Sequence, residues 1–166
     1  MEYTTLGRTG FRVSAAGVGC GGPSRLGLSW GGERAESISV LRKALDLGVN
    51  FIDTAEAYRN EDVVGEAIRE QGRDGLVLST KKGVDGREGR TSAEDLCRAV
   101  EGSLRKLRTD TIDVFHLHGV ILEQYDYARE QLVPCLLRLR EQGKIRALGI
   151  TERFNADPGH AMLSRA

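Results

Sequence analysis

The chain has 166 residues, and its 24 Lys plus Arg balance 24 Asp plus Glu, so its formal net charge is zero. Hydrophobic residues make up 40%, enough for a sizeable core in a single domain spanning 1–166. The balance gives no general attraction to nucleic acid or an acidic membrane surface, and no apolar run approaches the ~20 residues needed to span a bilayer.

The opening Met1-Glu2-Tyr3-Thr4-Thr5 is polar and acidic and lacks a signal-peptide pattern. Tyr3 to Leu6 and Phe11 to Ser14 flank Gly7-Arg8-Thr9-Gly10 and read as a β-hairpin. Ala15 to Gly19 predicts a short buried strand. Ile38, Leu41, Ala44 and Leu45 share one helical face that stops at Gly48. Val49 to Asp53 predicts the second strand. Val63, Val64, Ala67 and Ile68 line the next helix, with Asn60 as its cap and Glu61 and Asp62 at its positive end.

Leu76 to Ser79 predicts the third strand. Thr91 and Glu94 suggest a capping box, followed by a stripe of Leu96, Val100, Leu104 and Leu107. Ile112 to Leu117 predicts the fourth strand, Leu132, Cys135, Leu136 and Leu139 a fourth helical face, and Ile145 to Ile150 the fifth strand. The strands lack clean alternation, as expected where helices cover a sheet or a barrel closes on itself. Strand-helix repetition with short linkers implies a parallel sheet with right-handed crossovers. Gly17 to Gly32 and Gly83 to Gly89 read as loops. Cys20, Cys97 and Cys135 are odd in number and far apart. They match neither a metal-binding spacing nor a disulfide framework, which predicts a reducing cytoplasm.

Polar residues gather where strands end. Asp53 closes the second strand and Tyr58 follows in its loop. Lys81 and Lys82 end the third, and His116 and His118 the fourth. In a parallel barrel or sheet these ends share one rim, where active sites form. The four residue types suit carbonyl reduction. A phenol with an ordinary pKa of ~10 can protonate the carbonyl oxygen. A lysine cation would lower that value, an aspartate would hold the lysine, and a histidine could orient the carbonyl.

"FIDTAEAY", "STKKG" and "DVFHLHGV", in this order, resemble the aldo-keto reductase family. "MEYTTLGRTGFRVS" and "GKIRALGITE" are similar to its opening and its fifth strand, so the likeness runs from residue 1 to about 152. The resemblance implies an α/β fold, a (β/α)8 TIM-type barrel with its bottom plugged by an N-terminal hairpin. Only about the first five β/α units are present. It implies NADPH, or less often NADH, and a small-molecule carbonyl substrate. By position, Tyr58 would donate the proton, Lys81 would tune it, Asp53 would hold Lys81, and His118 would orient substrate. Lys81 is preferred to Lys82 because it directly follows Thr80, and His118 to His116 because it ends the strand. Gly19, Cys20 and Gly21 fall where the family's first loop meets the nicotinamide, beside Asp53; Thr151 is a further cofactor candidate.

Each residue alone has an ordinary reading: a turn-capping Asp53, a packing Tyr58, solvated Lys81 and Lys82, a structural His118. Their joint occurrence is what points to a site. His116 should face the same way as His118, with a hydrogen-bonded core role expected. Cys20 reads as a small packing residue, and Trp30 as a pocket wall or a surface anchor. "GCGG" lacks the dinucleotide Gly-x-Gly-x-x-Gly pattern. Thr151-Glu152 stands where many family members carry Ser-Asn, and an ionised Glu152 offers only acceptors.

A (β/α)8 barrel typically needs ~250 residues, so the expectation is an N-terminal portion of a longer reductase, or a truncated product, with little of the dinucleotide grip. Open sheet edges could then support self-association. Two alternatives stand beside the reductase: a catalytically weak binding or regulatory protein on the same scaffold, and a Schiff-base lyase using Lys81 as nucleophile.

Overall fold

The computed structural model describes residues 1–86, 89–153 and 156–165. The glycine-bracketed turn folds β1 (Tyr3–Thr5) onto β2 (Arg12–Ser14) as an antiparallel hairpin. β3 (Val18–Gly19), α1 (Arg34–Asp46), β4 (Phe51–Asp53), α2 (Glu61–Ile68) and β5 (Val77–Gly83) follow. A small antiparallel pair, β6 (Asp85–Gly86) and β7 (Gly89–Arg90), leads to α3 (Ala93–Leu107) and β8 (Ile112–Val120). The last crossover runs through α4 (Leu122–Tyr127), a π-helical turn at Ala128–Leu132 and α5 (Val133–Glu141) into β9 (Ile145–Glu152).

The main sheet is wholly parallel, in the order β3-β4-β5-β8-β9. Each strand joins on the same side as its predecessor. The order never reverses, as it would in a doubly wound sheet. Single winding with helical crossovers is how (β/α)8 barrels are built, and five such strands behind a hairpin form part of one.

Two cores follow from alternation along the strands. On one face, Ile52, Leu78, Phe115 and Leu117 pack against Val63, Val64, Leu96, Val100, Leu104 and Leu136 of the helices. Each such fully buried side chain contributes roughly 1.5–3 kcal/mol. On the other, Val77 and Val114 meet Phe11 and Val13 of the hairpin, with Phe51 and Ala147 beside them. The hairpin thus covers the amino ends of the inner face and leaves the carboxyl ends free.

Several sequence expectations shift. The first strand is neither five residues long nor buried: only Val18–Gly19 pair, at the sheet edge, and Gly19 is exposed. The α3 cap is Ser92 with Asp95, one residue later than expected, each side chain bonded to the other's backbone N–H. β5 and β8 run beyond their predicted ends, because Lys81 and His118 continue the ladder rather than leave it.

Cys97 and Cys135 form a disulfide joining α3 to α5. This corrects the expectation of unpaired cysteines. Residues 38 apart in sequence meet because α3 packs on α5, which spacing alone does not reveal. The bond also removes the cysteine argument for a reducing compartment. No helix among the described residues is long and apolar enough to cross a membrane.

At the amino rim, Asp113 is fully buried and accepts from Arg73, from Arg146 and from the Leu78 N–H. The Arg146 guanidinium also lies 4.2 Å from the Phe11 ring centroid. A cavity of about 670 Å³ lined by these groups therefore sits at the opposite rim from the polar strand ends. Arg73 and Arg146 are already engaged there by the Asp113 carboxylate, and Arg146 also by the Phe11 ring of the hairpin.

Candidate active site

The inner-face positions above the hairpin core turn polar. Phe51 is followed two residues on by Asp53, Val77 by Ser79 and Lys81, and Val114 by His116 and His118. Register sets their heights. Asp53 pairs with Ser79, Lys81 with His116 and Gly83 with His118. Asp53, Lys81 and His118 thus rise from three neighbouring strands on one face. Tyr58 comes from the helical turn Glu56–Tyr58 just after β4.

Lys81 is almost fully buried, at 6% exposure, and its ammonium is held twice. Nζ donates to Asp53 Oδ2 at 2.6 Å and to the Thr54 carbonyl at 2.7 Å. Asp53 Oδ1 accepts from Ser79 Oγ at 2.7 Å, so the carboxylate is fixed from two sides. Nζ lies 5.1 Å from the Tyr58 ring centroid. The Tyr58 and His118 rings meet edge to face, with centroids 5.7 Å apart at 88°. The four residues converge at one rim. Lys82 points to a different partner, Glu56.

The first loop supports this group from the side. A Cβ on Gly21 would stand 2.6 Å from Tyr58 Cε2 and Cζ, so only glycine lets the loop press against the phenol. Gly19 lies level with Asp53 and has open space where a side chain would be. Cys20 is fully buried, donates its N–H to the Asp53 carbonyl and gives its own carbonyl to Asn60. Its thiol is pushed up to about 12 by burial, reinforced by Asp53 and opposed by Lys81. Both backbone groups of Cys20 therefore build the loop, and its thiol is buried within it. Thr151 Oγ1 already accepts from the Gly119 N–H at 2.9 Å. Trp30 is 75% exposed, on the surface of the same long loop.

Both histidines on β8 are held below the ordinary imidazole range. Burial is the first cause for each, Lys81 lowers both further, and the Asp53 charge opposes. His116 Nδ1 is buried with no hydrogen-bond partner among the described residues, which corrects the expected hydrogen-bonded core role. It packs onto Gly149 of β9, where any side chain would collide with its ring.

A histidine whose folded pKa is depressed leaves stability intact above its unfolded value of ~6.5 and removes it as pH falls from there toward the folded value. Urea midpoints are expected to drop between pH 7.5 and 5.5, and to drop less in His116→Gln. An equal loss in that variant would contradict the assignment.

Sequence reasoning missed Glu61. Read as a helix-end charge, it is 1% exposed and accepts from Thr80 Oγ1 at 2.7 Å and Lys106 Nζ at 3.2 Å.

Comparison with known proteins bears on the family and the fold. The model of the Aldo/keto reductase family matches residues 19–162. Aldo-keto reductase YhdN of Bacillus subtilis is 36% identical over 160 residues, covering 91% of this chain and 47% of the relative. L-galactose dehydrogenase of Arabidopsis thaliana is 31% identical, covering 91% and 48%. The holo form of aldo-keto reductase AKR11C1 from Bacillus halodurans superposes with a TM-score of 0.76 at 32% identity, covering 92% of this chain and 50% of that one. The chain spans about half the length of the relatives it matches. With the family model matching most of its length, the chain belongs to the aldo/keto reductase family.

Proposed function

We propose that this chain supplies the proton-transfer half of an NAD(P)H-dependent reductase of aldehydes or ketones. One observation carries the reading. Lys81 Nζ is clamped between Asp53 Oδ2 and the Thr54 carbonyl, at 2.6 and 2.7 Å, beside the Tyr58 ring. Tyr58 donates its proton to the carbonyl oxygen as that oxygen gains charge. The Lys81 ammonium stabilises the negative charge left on the phenol. Asp53 and Thr54 keep the ammonium in place. His118, neutral near pH 7 because burial depresses it, orients the carbonyl against the phenol edge.

The residues present fit the nicotinamide end of a dinucleotide. Gly19 leaves open space level with Asp53, and Gly21 brings backbone against Tyr58. When bound, the reduced nicotinamide supplies the hydride. NADPH, with NADH as the lesser choice, is the expected dinucleotide. Thr151 reaches it only if its hydroxyl can also keep the Gly119 N–H. Glu152 lies 3.4 Å from His160 Nδ1 and supplies acceptors only. The test is NADPH oxidation with simple aldehydes by the complete barrel that carries these residues, with Tyr58→Phe alongside.

A second reading rests on the sheet edge. β9 is eight residues long, pairs only with β8 among the described residues, and leaves Ile150 43% exposed. Such an edge invites pairing, which suits a binding protein that self-associates. On this reading the sedimentation coefficient of the 166-residue chain rises with concentration. A monomer at every concentration would contradict it.

A further inference from the structure

Asn60 holds the N-cap position of α2, where an asparagine ordinarily turns its side chain onto the first helical N–H groups. Here it makes no such bond. Its carboxamide is fully buried and turned the other way. Oδ1 accepts from Thr54 Oγ1 at 2.7 Å, and Nδ2 donates to the Cys20 carbonyl at 2.7 Å. The helix forgoes a cap, and the amide joins the carboxyl ends of β3 and β4 instead.

Both residues it grips lie one step from the proposed chemistry. Thr54 is the residue whose carbonyl accepts from Lys81 Nζ. Cys20 precedes Gly21, whose backbone presses on the Tyr58 ring. Tyr58 itself ends the helical turn two residues before Asn60. One amide therefore fixes the peptide that holds the ammonium and the loop that seats the phenol. Buried, doubly bonded side chains of this kind are rigid, because losing either bond strands a polar group away from water.

We propose that Asn60 is a positioning residue for the Lys81–Tyr58 pair, acting through Thr54 and the Cys20-Gly21 backbone. It does not touch substrate. The role rests on the reading of Lys81 and Tyr58 as the proton-transfer pair. Its physical content is narrower: removing the amide or its Thr54 partner frees Lys81 while the rest of the fold stays closed.

Residue-resolved amine acylation of the 166-residue chain, read by mass spectrometry, tests this without turnover. In the native protein Lys81 is expected to react more slowly than Lys106 and Lys144. Thr54→Val should speed Lys81 about fivefold, the effect of one lost buried hydrogen bond, and Asn60→Leu, which loses both amide bonds, by at least as much. Lys106 and Lys144 should stay unchanged. Thr54→Ser keeps the hydroxyl and should keep Lys81 protected. An unchanged Lys81 in both losing variants overturns the proposal. So does an acceleration shared equally by Lys106 and Lys144, which would mark a general structural role. Because no reaction is measured, positioning can hold even if Tyr58→Phe retains activity and the reductase reading falls.

Discussion

Tyr58→Phe is expected to lower NADPH-dependent aldehyde reduction by about 10²- to 10⁴-fold, the usual contribution of a positioned proton donor. The substitution keeps the ring. The edge-to-face contact with His118 and the packing under Gly21 should survive, so the loss is chemical rather than conformational. Cofactor affinity should change little. Lys81→Met should give a loss of similar size for another reason: it leaves the Asp53 carboxylate without its ammonium partner beside the phenol. Steady-state rates with one aldehyde, taken with circular dichroism of each variant, check both. Activity within a factor of about 3 of the parent in a folded Tyr58→Phe protein would remove the phenol from the reaction, since a loss that small lies far below a general-acid contribution.

Reducing the Cys97–Cys135 bond is expected to cost about 4 kcal/mol, from the entropy released when a closed loop of this length opens in the unfolded chain. The bond spans 38 residues and ties α3 to α5 across the outer core. Urea unfolding with and without reductant measures the difference. A thiol count supplies the chemical check. The denatured, unreduced chain should titrate one thiol, Cys20, and the reduced chain all three. In the folded protein Cys20 should not react at neutral pH, because burial raises its pKa to about 12. Three thiols without reductant would contradict the bond.

Local sequence patterns carried the helices and the order of the strands. The stripes Val63-Val64-Ala67-Ile68 and Leu96-Val100-Leu104-Leu107 are all buried against the sheet, because a 3.6-residue period leaves little choice of face. The convergence of Asp53, Lys81 and His118 was legible for a similar reason. Parallel strands bring their carboxyl ends to one rim, and alternate positions share one face. What stayed hidden was pairwise. Nothing local to Cys97 indicates that α5 brings Cys135 to it. Nothing local to Asn60 says that its amide turns from the helix toward Thr54 and Cys20. Lys81 was read at a strand end; Asp53 and the Thr54 carbonyl stand in for the water an ammonium ordinarily seeks and let the strand continue. The edge strand β3 failed differently. Its apolar run suggested burial, yet among the described residues the sheet offers it a neighbour on one side only.

The phenol, ammonium, carboxylate and imidazole meet above the hairpin core. The most direct measurement is the nuclear Overhauser spectrum of the folded chain, with the Tyr58 and His118 ring signals identified by Tyr58→Phe and His118→Gln. Rings whose centroids lie 5.7 Å apart at right angles should give a cross-peak between their edge protons. That peak should vanish in His118→Gln. A folded chain with both rings resolved and no cross-peak between them would contradict the site.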